Sequence, residues 1–527
     1  MNAERLLAHY DRIADAPDAI ARLRRFVLDL AVRGKLVPQD ASDEPGSELL
    51  KRIAKEKLEQ TDLPQGWRRA KIGSILDFQY GKGLKASERL NEGPVPVFGS
   101  NGIVGFTDEP LTMRPSIIVG RKGSAGALNL CDGPSWTTDV AYFVEAPSFV
   151  DVRFLLNALT ALDLDKLGKG VKPGLSRSEA YDQIIDLPPL AEQRRIVAKV
   201  DELMGLCDRL AAARAGREAL RDRLALASLA RLNAPDPETF VADARIALDA
   251  LPAFTTRPDQ IKALRQTILN LAVRGKLVPQ DATDEPASEL LKRIAKEKAR
   301  AGKREKTDVE IENEEELGEL PPTWRAVPLI VLGSWAIGNG FPKNEQGLET
   351  GPHFFLKVSD MNLPGNEKYV TTSNNFIDDD AARRMRAKIH PPGTIIFPKI
   401  GGAIATNKRR MLTRGSAIDN NCLGITFSSV LNVEWAFLLL TTLDFTRYQA
   451  GTAVPALQQG VLERIPVGLP PLAEQHRIVA KVDELMSLCD RLEANLNATA
   501  ATRRRLLEAL LAEALAPVAL ATKAAAE

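Results

Sequence analysis

Residues 30–57 (LAVRGKLVPQDASDEPGSELLKRIAKEK) return at 271–298 with two changes, Ser42/Thr283 and Gly46/Ala287, at a constant offset of 241. Residues 187–210 (LPPLAEQRRIVAKVDELMGLCDRL) return at 469–492, again with two changes, Arg194/His476 and Gly205/Ser487. A chain that carries the same two segments twice in the same order must build a related frame twice. The inserts between the repeats, 58–186 and 299–468, do not resemble each other over most of their length. Two copies at about half the chain length mark a tandem duplication, because solenoid repeats recur every ~20–50 residues. At 527 residues the chain is also too long for one hydrophobic core. The expected product is a pseudo-twofold scaffold that presents two different surfaces.

The repeats read as helices. After Pro188-Pro189, apolar residues fall at Ile196, Val200, Leu203, Cys207 and Leu210, and after Pro470-Pro471 at Ile478, Val482, Leu485, Cys489 and Leu492. This 4-3-4-3 spacing puts one apolar stripe along each long helix, and the simplest partner for each is the other, as an antiparallel coiled coil. A helix over 190–228 is on the order of 55 Å long at ~1.5 Å per residue. Arg214, Arg217 and Arg503 interrupt the stripes with charge. The first repeat predicts a helix over Ile20–Arg33 and another over Ile261–Arg274, closed by Gly34 and Gly275 as left-handed caps. A further helix is expected from Ser47 and Ser288, with a Lys/Arg-rich solvated face. The cysteines on the stripes are expected as small buried hydrophobes.

The organisation expected is therefore 1–57, an N-terminal helical region with the first repeat; 58–186, the first insert; 187–232, a central long helix; 233–260, a linker; 261–298, the second copy of the repeat; 299–468, the second insert; and 469–527, a C-terminal long helix. The acidic stretch 307–320 is expected as a loop before the second insert.

Both inserts open alike, Leu63–Trp67 (LPQGW) and Leu320–Trp324 (LPPTW), and the tryptophans are expected in the core. Short β-rich pieces broken by Gly and Pro follow, such as 95–106, 116–128 and 140–144 in the first and 394–405 and 423–427 in the second. The fold class is thus α/β (α+β): two mixed lobes on a helical frame. Basic residues gather on the turns. In the first insert they are Lys82, Lys85, Arg121, Lys122, Lys169, Lys172 and Arg177; in the second, Arg383, Arg384, Arg386, Lys399, Lys408, Arg409 and Arg410. Glycine beside a cation lets backbone approach a phosphate while the side chain reaches a phosphate or a base edge, so these are candidate DNA contacts.

Signals of chemistry are missing from the sequence. It contains no GxxxxGK[ST] phosphate loop, no Asn/Asp-Pro-Pro-aromatic, and four histidines without metal-ligand spacing. Four scattered cysteines suggest neither a disulfide framework nor zinc, and an amino terminus without an apolar core suggests the reducing cytoplasm. Seventy Lys+Arg against 69 Asp+Glu give a net charge of +1, which excludes a binder held to nucleic acid by bulk charge. GNGF at 338–341 lacks the strand-then-glycine pattern of a cofactor loop.

The paired LPPLAEQ(R/H)RIVAKVDELM helices, the paired LAVRGKLVPQ segments, the Leu-Pro-x-x-Trp openings and the GRKGSAG…SWTTDVA run at 120–141 resemble the specificity (S) subunits of type I restriction-modification systems. The resemblance covers about 20–520. It implies a non-catalytic chain in which two target recognition domains each read one half of a bipartite DNA site. The repeated helices would act as spacer and dock two methyltransferase (M) subunits; two motor-nuclease (R) subunits would join for cleavage. S-adenosylmethionine, ATP and magnesium would then be cofactors of the partners, with none bound by this chain. Two other readings fit the bare sequence: a coiled-coil scaffold with two protein-binding lobes, and an enzyme with divergent motifs.

Overall fold

A computed structural model of the chain describes residues 15–44, 63–168, 174–233, 238–300, 302, 314–451 and 454–515. The helices are α1 (Ala19–Val32), α2 (Val152–Ala161), α3 (Arg177–Tyr181), α4 (Leu190–Asn233), α5 (Phe240–Phe254), α6 (Pro258–Val273), α7 (Ala287–Arg300), α8 (Asp379–Met385), α9 (Val433–Thr442), α10 (Gln459–Glu463) and α11 (Leu472–Leu515). Among the described residues no helix is long and apolar enough to cross a membrane.

The chain divides into two compact units, Met1–Ala219 with Ala498–Glu527, and Leu220–Asn497. The boundary therefore cuts the two long helices, each of 44 residues, so that each gives its head to one unit and its tail to the other. At ~1.5 Å per residue each is about 66 Å long.

In the first unit, α1 has two buried faces. Val27, Leu28 and Ala31 join Ile196, Val197 and Val200 of the α4 head in one core, to which Leu203 adds its flank. Ala19, Phe26 and Leu30 pack on Leu507, Leu510, Leu511 and Ala514 of the α11 tail. The second unit repeats this with α6: Ile261, Ile268, Leu269 and Ala272 share a core with Ile478, Val482 and Cys489, flanked by Leu485 and Leu492. Leu264 turns to Ala225, Leu229 and Leu232 of the α4 tail. Within each unit the cover over the stripe is thus a short helix, α1 or α6. Cys207 and Cys489 are buried, and Leu210 is half-buried. Two of the three polar interruptions find partners: Arg214 donates to the Ala16 carbonyl at 3.3 Å, and Arg217 lies 3.8 Å from Asp15. Gly34 and Gly275 take φ of 64° and 66°, the left-handed caps expected.

The stretch expected as a linker, 233–260, instead holds α5. Its Ala244, Ala247 and Leu251 form a stripe at helical spacing that packs on Ala225, Leu229 and Leu232. Pro235, Pro237 and Pro252 favour a connection, and the apolar periodicity dominates them. The Lys/Arg-rich helix forms in the second copy as α7, while the Ser47 helix of the first copy lies outside the described residues, as does the first half of the acidic stretch, 307–313.

Each insert is closed by an antiparallel pair of its own two ends, Arg68–Lys71 with Ile184–Leu187 and Arg325–Pro328 with Pro466–Leu469. The first lobe has a four-stranded sheet in the order Gln79–Tyr80, Ala141–Glu145, Ser116–Gly120, Leu128–Cys131. The second has Gly333–Ile337, Cys422–Phe427, Ile395–Pro398, Arg410–Leu412 in the same order, with Tyr369–Val370 added at the edge. A three-stranded sheet accompanies each: Gly102–Thr107, Val95–Gly99, Trp136–Thr137, and Phe376–Ile377, His353–Leu356, Ser416–Ile418. Two inserts without evident sequence likeness therefore share one topology.

The repeated LPPLAEQ segment fastens each lobe to its frame. Glu192, 1% exposed, accepts the Trp67 indole N–H at 3.1 Å and the Gln39 amide at 3.2 Å. Gln193 accepts the backbone N–H of Asp151, the residue that caps α2, and donates to the Pro188 carbonyl. Arg195 pairs with Asp43 at 2.6 Å. In the second unit Glu474 accepts from Trp324 and Gln280, Gln475 from the α9 cap Asn432, and Arg477 pairs with Asp284. Trp67 and Trp324 are buried, as expected.

Candidate nucleic-acid interface

In the first lobe, Arg121 and Arg177 both lie against exposed Tyr80, with Lys82 and Lys122 on the adjoining turns, while Lys85 is exposed and gives its backbone N–H to Glu88. The strand Gln79–Tyr80 runs into Gly81, where an added Cβ would strike the carbonyls of Thr137 and Thr138, so only glycine lets the loop lie this close to 137–138. Lys82 follows, its N–H donating to the Thr137 carbonyl at 2.8 Å, and its ammonium sits 5.8 Å from the Trp136 ring centroid. Arg121 leaves the strand Ser116–Gly120 with its guanidinium 4.9 Å from the Tyr80 centroid and 5.9 Å from that of Tyr142. Arg177, at the start of α3, approaches the same Tyr80 ring at 5.1 Å and Tyr181 at 5.8 Å. Burial pushes the phenols of Tyr142 and Tyr181 up, so both stay neutral donors. Lys122 bridges to Gly174. Among the described residues these five cations form no ion pair with an acid, which leaves their charge available to an anionic ligand. Lys169 and Lys172 lie outside the described residues.

The second lobe builds the same platform with different side chains. Gly338 follows its strand as Gly81 does, and an added Cβ there would strike the Asp419 carbonyl. Asn339 donates its N–H to Ile418 O at 2.8 Å, as Lys82 does to Thr137. Lys399 occupies the place of Arg121: its N–H bonds Asn421 O and its carbonyl accepts from Leu457, as Arg121 bonds Val140 and Leu175. Ile400 bridges to Ala456 as Lys122 does to Gly174. Exposed Ile337 stands where Tyr80 stands, at 51% and 50% exposure respectively. Arg386 lies beside this platform, in the left-handed region at φ 53°, its carbonyl accepting the Asn339 amide at 3.2 Å.

The other cations expected of this lobe are placed otherwise. Arg409 is 3% exposed, so its expected role as a DNA contact is corrected. It donates to the Leu440 and Leu443 carbonyls and to Asn407, and lies 3.8 Å from the Phe445 ring centroid. Burial pushes its pKa down to about 9. Arg410 is half-buried and spends its Nε on Met361 O and an Nη on Arg409 O. Lys408 bonds Asn362, Arg383 pairs with Asp380, and Arg384 with Glu345 at 2.8 Å.

A model of the type I restriction modification DNA specificity domain matches residues 64–214 and 348–501, one match in each half of the duplication. The chain belongs to the type I restriction-modification specificity family. The EcoAI specificity subunit of Escherichia coli is 28% identical to it, with 93% of each chain covered, and the EcoEI subunit of the same organism 27% identical, with 94% of each covered. A chain from a solved structure on complex assembly and conformational transition of the type I R-M system matches with a TM-score of 0.49 at 18% identity, over 86% of this chain and 98% of that one.

Within this family fold, the sequence reading missed Tyr80, Trp136, Ile337 and Asn339. The signal was present: GKGLK at 81–85 and GNGFP at 338–342 have glycine at the same two places, and each follows an exposed apolar residue. GNGF, expected to lack a preceding strand, in fact follows the strand Gly333–Ile337 directly.

Proposed function

We propose that each lobe reads one half of a bipartite, asymmetric DNA site, and that the chain does so as the non-catalytic subunit of a larger restriction-modification complex in the cytoplasm. The observation that carries this reading is the shared platform, Gly81-Lys82-Gly83 with Arg121 and Gly338-Asn339-Gly340 with Lys399, held by matching backbone bonds but carrying different side chains. One frame with two lettered faces suits a ligand that varies in sequence and repeats in geometry. Cations without acidic partners suit its phosphates, and exposed side chains on tight loops suit its base edges.

In this reading α4 and α11, continuous through the unit boundary, fix an unread interval between the half-sites and offer a docking surface for two methyltransferase subunits. Two motor-nuclease subunits complete the assembly. Adenine methylation with S-adenosylmethionine, and ATP- and magnesium-dependent translocation and cleavage, belong to those partners.

Exchanging residues 63–187 for the lobe of another specificity subunit, with both repeats retained, tests this. Genome-wide methylation mapping is expected to show one half-site changed and the other kept. A change in both half-sites, or one uninterrupted footprint, overturns the reading.

A further inference from the structure

We infer that Arg121 reads a guanine in the half-site met by the first lobe, an inference that rests on the DNA-recognition reading above. Five cations of this lobe lack ion pairs among the described residues, and they divide by how firmly they are held; Arg177 stacks on Tyr80 and Tyr181 with no side-chain hydrogen bond among the described residues. Lys82, Lys85 and Lys122 are exposed ammonium groups on flexible stems, suited as point charges to phosphate. Arg121 is fixed at both ends. Its N–H donates to Val140 O at 2.9 Å and its carbonyl accepts from Leu175 at 2.9 Å, which anchors the Cα at the end of a central strand. One Nη donates to the Asp139 carbonyl at 2.8 Å, and the guanidinium lies against Tyr80 and Tyr142. Gly120 closes the loop beneath it, since an added Cβ there would strike the carbonyls of Ser100 and Ser124.

The remaining N–H groups of Arg121 carry no bond among the described residues. A planar fork held by stacking and one hydrogen bond, with further donors free, matches the N7 and O6 acceptors of guanine in the major groove. Because the fork is ordered before DNA arrives, binding does not have to freeze it. Tyr80 acts as a positioning residue, shared with Arg177 on the same ring. Lys399 holds the equivalent backbone place in the second lobe but has no fork, so the two lobes differ in kind at this position.

The test uses the full chain in complex with methyltransferase subunits, comparing the natural protein with Arg121→Lys and Lys122→Gln. Binding is measured on duplexes carrying each base at each half-site position, over a salt series, with thermal melts to confirm folding. Arg121→Lys keeps the charge and loses the fork. It is expected to relax the preference for one guanine by roughly 5- to 150-fold, with the salt slope and the other half-site unchanged. Lys122→Gln is expected to weaken all duplexes alike and lower the salt slope by about one. Uniform weakening by Arg121→Lys, relaxation at a base other than guanine, or a first half-site without guanine overturns the inference and leaves DNA recognition standing. Loss of all sequence preference in the natural protein overturns both.

Discussion

The indole N–H of Trp67 donates to the Glu192 carboxylate at 3.1 Å, joining the opening of the first lobe to the first turn of α4 across 125 residues of sequence. Trp324 and Glu474 make the same bond at 2.9 Å in the other unit. The bond explains why the Leu-Pro-x-x-Trp opening and the Pro-Pro-Leu-Ala-Glu-Gln helix occur together: each supplies the polar partner that the other buries.

Glu192→Ala is expected to destabilise the first unit by about 1–3 kcal/mol, because it strands the indole N–H of buried Trp67. Glu192→Gln keeps an acceptor for the indole and is expected to cost less. Urea denaturation followed by tryptophan fluorescence measures both, and equal losses would refute the argument.

Burial pushes the Glu192 and Glu474 carboxyls up from the ordinary glutamate range. Between that range and the raised value, the folded protein holds protons that the unfolded chain has released. Stability from these groups is therefore present at the acid end of this window and lost as pH rises through it. Denaturation midpoints across the window are expected to fall with pH in the natural protein, and to fall less in the Glu192→Gln, Glu474→Gln double variant.

Arg409→Ala is expected to cost at least about 2 kcal/mol, since it removes the donors to the Leu440 and Leu443 carbonyls and leaves a void against Phe445. The folded fraction should bind DNA with an unchanged salt slope. A reduced slope would return Arg409 to the DNA surface.

Gly81→Ala and Gly338→Ala each drive a Cβ into backbone carbonyls that cannot swing aside. Each is expected to weaken recognition of one half-site by at least about tenfold, the equivalent of ~1.4 kcal/mol. Binding to duplexes with single-half-site changes checks it, and an effect spread over both half-sites would count against two separate platforms.

The frame was legible because its contacts are made by side chains written twice; Trp67 with Glu192 and Trp324 with Glu474 left the same letters in both copies. The likeness of the lobes was not legible, because backbone makes it: Lys82 and Asn339 present the same N–H to Thr137 and Ile418 whatever their side chains. Arg409 and its neighbours read as one basic turn, yet Arg409 is buried against α9, and half-buried Lys408 and Arg410 bond Asn362 and Met361. Helix α5 was hidden by Pro235 and Pro237, which precede it.

The division of the two long helices also sets an order of completion during synthesis. Leu220–Asn497 is a single continuous stretch, so every segment of the second unit is synthesised before the α11 tail that the first unit needs. The first unit, begun earlier, must wait for the α11 tail: until Leu507, Leu510 and Leu511 arrive, Ala19, Phe26 and Leu30 of α1 have no cover. A released chain that stopped before residue 498 would thus hold every segment of the second unit and, in the first, an apolar helix face without its α11 cover, the kind of surface that chaperones hold. The part of the protein written first is the part that closes last.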